Sequence, residues 1–315
     1  MPPEPSANPE PSAKPEPSAS PATPASRLRA LLAEPVCRTM PCCFDALSAR
    51  LIEQEGFALT FMSGFAASAS RIGAPDLGLM SYGEVADQVA NICGACDLPL
   101  IADGDTGYGN AMNVRRTVRG LWRAGAGAVM IEDQLAPKRC GHTPGKDVVA
   151  REEALDRIRA AVDEAATIRA EGGDVLILAR TDARHTLGLG EAIERANAFS
   201  GLGADMLFVE APRDRAEMEA VCRDAPGIHM ANIVEGGATP DLSRAELQAI
   251  GYRIAAYPLT LMAAAMRAMT ATLQAMRGDE VRKGLMGFGE LRRRIGFEDY
   301  YEASEAYATC RRPAE

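Results

Sequence analysis

From residue 36 onward, short apolar runs alternate with longer stretches whose apolar residues recur at helical spacing. Eight of the short runs read as strands: 36–42, 58–63, 98–103, 128–132, 174–181, 205–210, 228–233 and 252–257. Most lack strict apolar–polar alternation, as strands buried on both faces do. Between them, 82–93, 113–123, 151–170, 189–200 and 213–222 read as helices. Glycines at 125, 172 and 201 suit left-handed helix caps. Eight strands alternating with helices predict an α/β chain folded as a (β/α)8 TIM-type barrel. A doubly wound nucleotide fold would carry G-x-G-x-x-G after its first strand, and none occurs there. The long apolar helix expected at 259–277 completes the barrel, which is placed at 27–278. The helical pattern at 281–307 exceeds what closure needs, so 279–315 is expected to be a C-terminal helical extension packed on a neighbouring subunit.

Composition alters this picture at one end. Nine of the 20 prolines fall in residues 1–26, a PEPSA-like segment with almost nothing to place in a core. It is expected to be a disordered tail. A net charge of −9, one Trp and no basic block argue against nucleic-acid binding. No apolar stretch reaches the roughly 18 residues of a membrane span, and no secretory signal pattern opens the chain. Eight scattered cysteines in a chain of 315 residues read as reduced thiols, so a cytoplasmic location is expected.

In such a barrel the chemistry sits at the C-terminal ends of the strands. Those ends carry Ser63-Gly64, the run Asp103 to Gly109, Glu132-Asp133, Arg180-Thr181-Asp182, Glu210 and Asn232. Carboxylates from neighbouring strands repel one another unless a cation or protons intervene. Asp103, Asp105 and Glu132 are hard oxygen donors without a nearby Cys or His, which suits Mg²⁺ (or Mn²⁺) and not Zn²⁺. Arg180 is a natural fork for a substrate carboxylate, and pairing with Glu210 or Asp182 is compatible with that role. The segment 137–146 sets Cys140 beside Lys138, Arg139 and His142, where positive charge favours the thiolate and proton transfer. His142 either shares in that chemistry or orients the segment.

These motifs together resemble the isocitrate lyase/phosphoenolpyruvate mutase superfamily. The match is carried by Ser63-Gly64-Phe65, D-G-D-T-G-Y-G at 103–109, I-E-D-Q at 131–134, K-R-C-G-H at 138–142, A-R-T-D at 179–182 and N-I-V-E-G-G at 232–237. The resemblance implies a barrel whose last helix is exchanged between subunits, giving a homodimer or homotetramer. It implies Mg²⁺ on Asp103 and Asp105, with Glu132 in support. It also implies a small-molecule dicarboxylate bound by Ser63, Gly64, Phe65, Cys140, Gly141, Arg180, Glu210, Asn232, Ile233 and Val234. Cys140 would protonate the carbanion as a C–C bond breaks, assisted by Lys138 and His142.

Superfamily members differ in chemistry. Those that move phosphorus–carbon bonds, and the oxaloacetate decarboxylases, generally lack the cysteine, so Cys140 favours a C–C lyase. Methylisocitrate lyases carry arginines where this chain has Ala263 and Phe288, which removes cations from a third carboxylate. The expected substrate is therefore a 2-hydroxy dicarboxylate such as 2,3-dimethylmalate or another 2-alkylmalate. Oxaloacetate-hydrolysing members typically have a serine where Pro258 stands here, so the hydroxyl that would bind a hydrated substrate is missing; oxaloacetate decarboxylation or hydrolysis is the alternative, followed by methylisocitrate cleavage and a phosphonate-forming mutase.

Overall fold

The computed structural model describes residues 22–138 and 147–307. Its eight strands are β1 (Arg38–Cys43), β2 (Thr60–Met62), β3 (Leu100–Asp103), β4 (Ala128–Glu132), β5 (Leu176–Thr181), β6 (Met206–Val209), β7 (Met230–Asn232) and β8 (Ile254–Tyr257). All pairings between them are parallel, and β1 pairs with β8, so the order is β6-β5-β4-β3-β2-β1-β8-β7. The seam between β6 and β7 is held by a parallel bridge from Leu207 to His229 and by Leu207 N–H donating to the Ile228 carbonyl at 2.8 Å. The sheet is thus a nearly closed barrel of the (β/α)8 type, with helices on its outside.

Several helices begin where local chemistry starts them. Ser81 and Glu84 form a reciprocal capping box at helix Tyr82–Ala95, and Ser243 and Glu246 do the same at helix Arg244–Ile250. Helix Pro24–Ala33 starts inside the segment expected to be tail. Thr23 accepts from Ser26 N–H at 3.1 Å, and proline fits a first turn because it has no N–H to satisfy. Ala25, Leu28 and Leu32 from this helix fill the barrel interior. Arg29 clasps Asp174 and Asp205, just before β5 and β6, which places the helix at the end of the barrel opposite the strand C-termini.

The core has two layers, and each strand contributes to both in strict alternation. Leu176 and Leu178 of β5, Ala128 and Met130 of β4, and Met206 and Phe208 of β6 point into the barrel. Their neighbours Ile177, Ala179, Val129, Ile131, Leu207 and Val209 point out into the helix layer. Both faces are buried, so the alternation is one of destination and not of polarity. Counting on by two along each inward row reaches Arg180, Glu132 and Glu210. The same count from Phe61, Ile101, Met230 and Ala256 reaches Ser63, Asp103, Asn232 and Pro258. The pleat itself delivers the strand-end polar groups to one place.

The C-terminal helices are different. Helix Thr260–Arg277 buries only Met262, while Met266, Met269, Leu273 and Met276 are more than half exposed. Helices Phe288–Ile295 and Phe297–Glu305 bury no residue. They are tied to helix Ala46–Gln54 and its end by Gln54 to the Arg294 carbonyl at 2.9 Å and Arg294 to Glu55 at 2.8 Å. No helix of the described residues is long and apolar enough to cross a membrane.

Candidate active site

The inward rows end in a cavity at the C-terminal mouth of the barrel. One half is polar, and Arg180 dominates it. Its guanidinium donates to Asp182 through Nε at 2.8 Å and Nη2 at 3.1 Å. It also pairs with Glu210 at 3.0 Å and Glu132 at 3.3 Å, and lies 5.1 Å over the Phe208 ring. β5 stands between β4 and β6, with Glu132 directly opposite Arg180 in the register. Asn232 Nδ2 donates to Glu210 at 3.2 Å, and Glu210 Oε1 accepts from Ala211 N–H at 2.9 Å. The planar guanidinium is held in place by carboxylates from three strand ends, a geometry suited to bidentate recognition.

The second cluster gathers on Lys138. Its buried ammonium pairs with Asp105, with Asp76 at 3.0 Å and with Asp103 at 4.0 Å. Burial alone would lower the Lys138 pKa, but Asp105, Asp103 and Asp76 outweigh it and hold the lysine above its ordinary value. Burial pushes Asp105 up to about 6 against the pull of Lys138. The 103–109 run turns sharply, with positive φ at Asp105, Gly107, Tyr108 and Gly109. At Gly107 a Cβ would meet Val114 Cγ2 at 2.3 Å, so the loop packs onto the next helix only with glycine there. Asp76, from the Gly73–Met80 connection between two helices, is a site carboxylate that the strand-end reading missed. Its Gly-Ala-Pro-Asp-Leu-Gly setting between helical stretches was the available signal.

Among the described residues no three carboxylate, His or Cys groups are gathered as a closed metal-ligand set. The carboxylates converge on Lys138 instead of on one another. Their chemistry nevertheless fits a hard divalent cation. Glu132 is 1% exposed, and its Oε1 has no hydrogen-bond partner. Burial drives its pKa well up, the condition a nearby cation reverses. The six carboxylates Asp76, Asp103, Asp105, Glu132, Asp182 and Glu210 pair with two cations, Lys138 and Arg180, among the described site groups. A dianionic ligand could not join that excess of negative charge without added positive charge.

The other expected residues divide. Ser63, Gly64, Phe65 and Val234 line the cavity. Ser63 also caps helix Gly64–Ile72, which points that helix N-terminus at the site. Ile233 does not line it. One step out of phase with Asn232, it is fully buried against Met218, Leu247 and Ala255 in the outer layer. Cys140, Gly141 and His142 lie outside the described residues. The rest of the lining is apolar, with Phe61, Met130, Phe208, Met230 and Ala256 one inward step below the strand-end groups and Pro258 and Leu259 beside them.

Residues 28–277 match the phosphoenolpyruvate phosphomutase family model. The chain belongs to that family. Within its superfamily, the phosphoenolpyruvate mutase/isocitrate lyase group, relatives of this family member are named as lyases. It is 40% identical to 2,3-dimethylmalate lyase of Eubacterium barkeri, over 91% of this chain and 99% of that one. It is 36% identical to 2-methylisocitrate lyase of Halalkalibacterium halodurans, over 90% of this chain and 89% of that one. Among solved structures, oxaloacetate acetylhydrolase with 3,3-difluorooxalacetate superposes with a TM-score of 0.86 at 36% identity, covering 91% of this chain and 98% of that one. Phosphonopyruvate hydrolase with oxalate and Mg²⁺ superposes with a TM-score of 0.79 at 29% identity, covering 91% and 100%.

Proposed function

We propose that the protein is a divalent-cation-dependent C–C lyase that cleaves a 2-hydroxy dicarboxylate of the 2-alkylmalate type, such as 2,3-dimethylmalate. The observation that carries this reading is the make-up of the cavity. Its described lining holds the Arg180 fork and the Ser63-capped helix N-terminus, two places for carboxylates, with an apolar wall of Phe61, Met130, Phe208, Met230, Ala256 and Pro258. Two such places suit two carboxylates. A third carboxylate buried without a partner is strongly disfavoured. The apolar wall gives alkyl substituents a dry surface. The 40% identity to a 2,3-dimethylmalate lyase supports the same substrate class.

Asp103 and Asp105 would hold Mg²⁺ (or Mn²⁺), with Glu132 in support. Such a cation would supply Lewis-acid polarisation of the 2-oxygen and charge stabilisation for the forming α-keto acid. Arg180 receives a substrate carboxylate, and Asp182, Glu132 and Glu210 keep its guanidinium from turning away. The Ser63–Phe65 turn receives the other carboxylate end at a helix N-terminus. The C2–C3 bond breaks with its electron pair left on C3, while the 2-hydroxyl gives its proton to one of the strand-end carboxylates, which returns it to solvent. C3 takes a proton from Cys140, whose thiol lies beside Lys138, Arg139 and His142 in sequence. From 2,3-dimethylmalate the products are pyruvate and propionate. A homodimer or homotetramer belongs to the same proposal, supported by the exposed apolar faces of the C-terminal helices.

A second reading, hydrolysis of oxaloacetate, is favoured by the likeness to oxaloacetate acetylhydrolase. Pro258 weighs against it, because this cavity-lining position offers no hydroxyl to a hydrated substrate. Product identification by NMR separates the two. Pyruvate plus propionate from 2,3-dimethylmalate is expected; faster release of oxalate plus acetate from oxaloacetate would replace the lyase reading with the hydrolase one.

A further inference from the structure

Behind the strand ends lies a second buried arginine. Arg195, on helix Leu189–Gly201, is 2% exposed. Its guanidinium donates from Nη1 to Asp133 Oδ2 at 2.9 Å, from Nε to Glu191 at 2.8 Å and from Nη2 to the Val149 carbonyl at 3.0 Å. Asp133 directly follows β4 and is also buried. It accepts from Thr181 Oγ1 at 2.7 Å and from the Asp182 N–H at 2.8 Å. One carboxylate therefore ties the end of β4 to the end of β5, and one arginine holds that carboxylate in place.

The contacts continue to the site. Asp182, whose backbone hangs on Asp133, supplies the carboxylate that forks Arg180. Arg195 also holds Val149, whose own N–H donates to the Asp133 carbonyl at 2.9 Å. Residues 133–135 and 147–149 are thereby joined, with Leu135 N–H donating to Asp147 O at 2.9 Å and a Gln134–Val148 bridge between them. Arg157 adds donation to the Gln134 carbonyl at 2.8 Å from the next helix. Arg195 itself lies behind the cavity wall and is not among its lining residues.

We propose that Arg195 is a positioning residue, which sets the Arg180 guanidinium through Asp133 and Asp182. The inference rests on the reading of Arg180 as the receptor for a substrate carboxylate. Two buried acids in direct contact, Asp133 and Asp182, need cations near them to stay where they are. A planar fork reaches three acceptors at once, whereas lysine at this position reaches fewer with poorer geometry. Loss of the fork loosens the β4–β5 juncture, and Arg180 no longer presents one fixed face.

The test uses Arg195→Met, Arg195→Lys and Thr181→Val, the last two because they leave no buried acid without its cation. Crystal structures of the variants report the Arg180–Asp182 fork directly. Calorimetry with oxalate in the presence of Mg²⁺ reports what the fork does. The expected result is a displaced or disordered Arg180 guanidinium in the Arg195 variants and roughly tenfold weaker oxalate binding. Turnover of 2,3-dimethylmalate should show KM raised more than kcat is lowered, a split that a general loss of folded protein does not produce. Arg195→Lys that folds with the fork intact and oxalate binding unchanged would overturn the proposal. If the unaltered protein binds no oxalate, the role of Arg180 fails instead, and the variant structures still decide the role of Arg195.

Discussion

At Gly64 a Cβ built on the backbone would lie 2.5 Å from Asp103 Oδ2 and 3.3 Å from the Lys138 ammonium. The residue's φ is not in the left-handed region, so glycine is required by this contact and not by backbone conformation. Asp103 is a short side chain whose Oδ1 already accepts from the Asp105 N–H at 3.0 Å, which leaves it little freedom to give way. Gly64→Ala should therefore rotate Asp103 and weaken Mn²⁺ binding roughly tenfold, equivalent to about 1.4 kcal/mol. Stability should fall by about 1–3 kcal/mol, as overpacking of a buried contact does. Calorimetric titration with Mn²⁺ checks this, and unchanged affinity would separate Asp103 from cation binding. The same scale explains Ile233. It adjoins Asn232 in sequence but points to the other face of β7, and adjacency in a strand is the opposite of proximity in a site.

At the scale of elements, the strands were legible because each is a short apolar run closed by a polar residue. β4 occupies the residues expected of it, and the others differ by a few residues at their ends. Asp103, Glu132, Arg180, Glu210 and Asn232 could be read as a site because polar groups ending inward rows have few other reasons to be there. Asp76 could not be read this way, since it sits on a helix connection and reaches the cavity only through the fold. Arg195 was equally hidden, because an arginine within an amphipathic helix looks the same whether it faces water or the back of a strand. Helix Pro24–Ala33 was concealed by proline-rich sequence on its N-terminal side, although its Leu28 is fully buried in the barrel. Leu28→Ala should lower stability by about 2–5 kcal/mol, as cavity-forming truncations do. Urea unfolding measures it; a loss below about 0.5 kcal/mol, the range of exposed positions, would detach this helix from the barrel.

Over the whole molecule, acidic groups set the pH response. Glu84, Glu171, Glu191, Glu217 and Glu246 are all held below the ordinary carboxylate range, by hydrogen bonds from Ser81, Arg119, Arg151, Arg184 and Ser243 respectively. Glu191 is lowered furthest, to about 2, with Arg151 the main cause and Arg195 a second. A carboxylate whose folded pKa is depressed stabilises the fold above its unfolded value near 4.3 and loses that contribution as pH falls toward 2. Glu191→Gln should therefore cost stability at pH 6 and much less at pH 3, as urea unfolding at both values would show. An equal cost at both would contradict the linkage.

The same excess of acid at the strand ends is what a divalent cation would relieve, and on that the functional account stands. The most direct measurement is pyruvate release from 2,3-dimethylmalate by the full chain, followed with lactate dehydrogenase and NADH, with Mg²⁺ and again after chelation with EDTA. The account predicts release that requires Mg²⁺, disappears with EDTA, returns when the cation is restored and is lost in Arg180→Lys. No pyruvate from any 2-alkylmalate, or release indifferent to the cation, would contradict it.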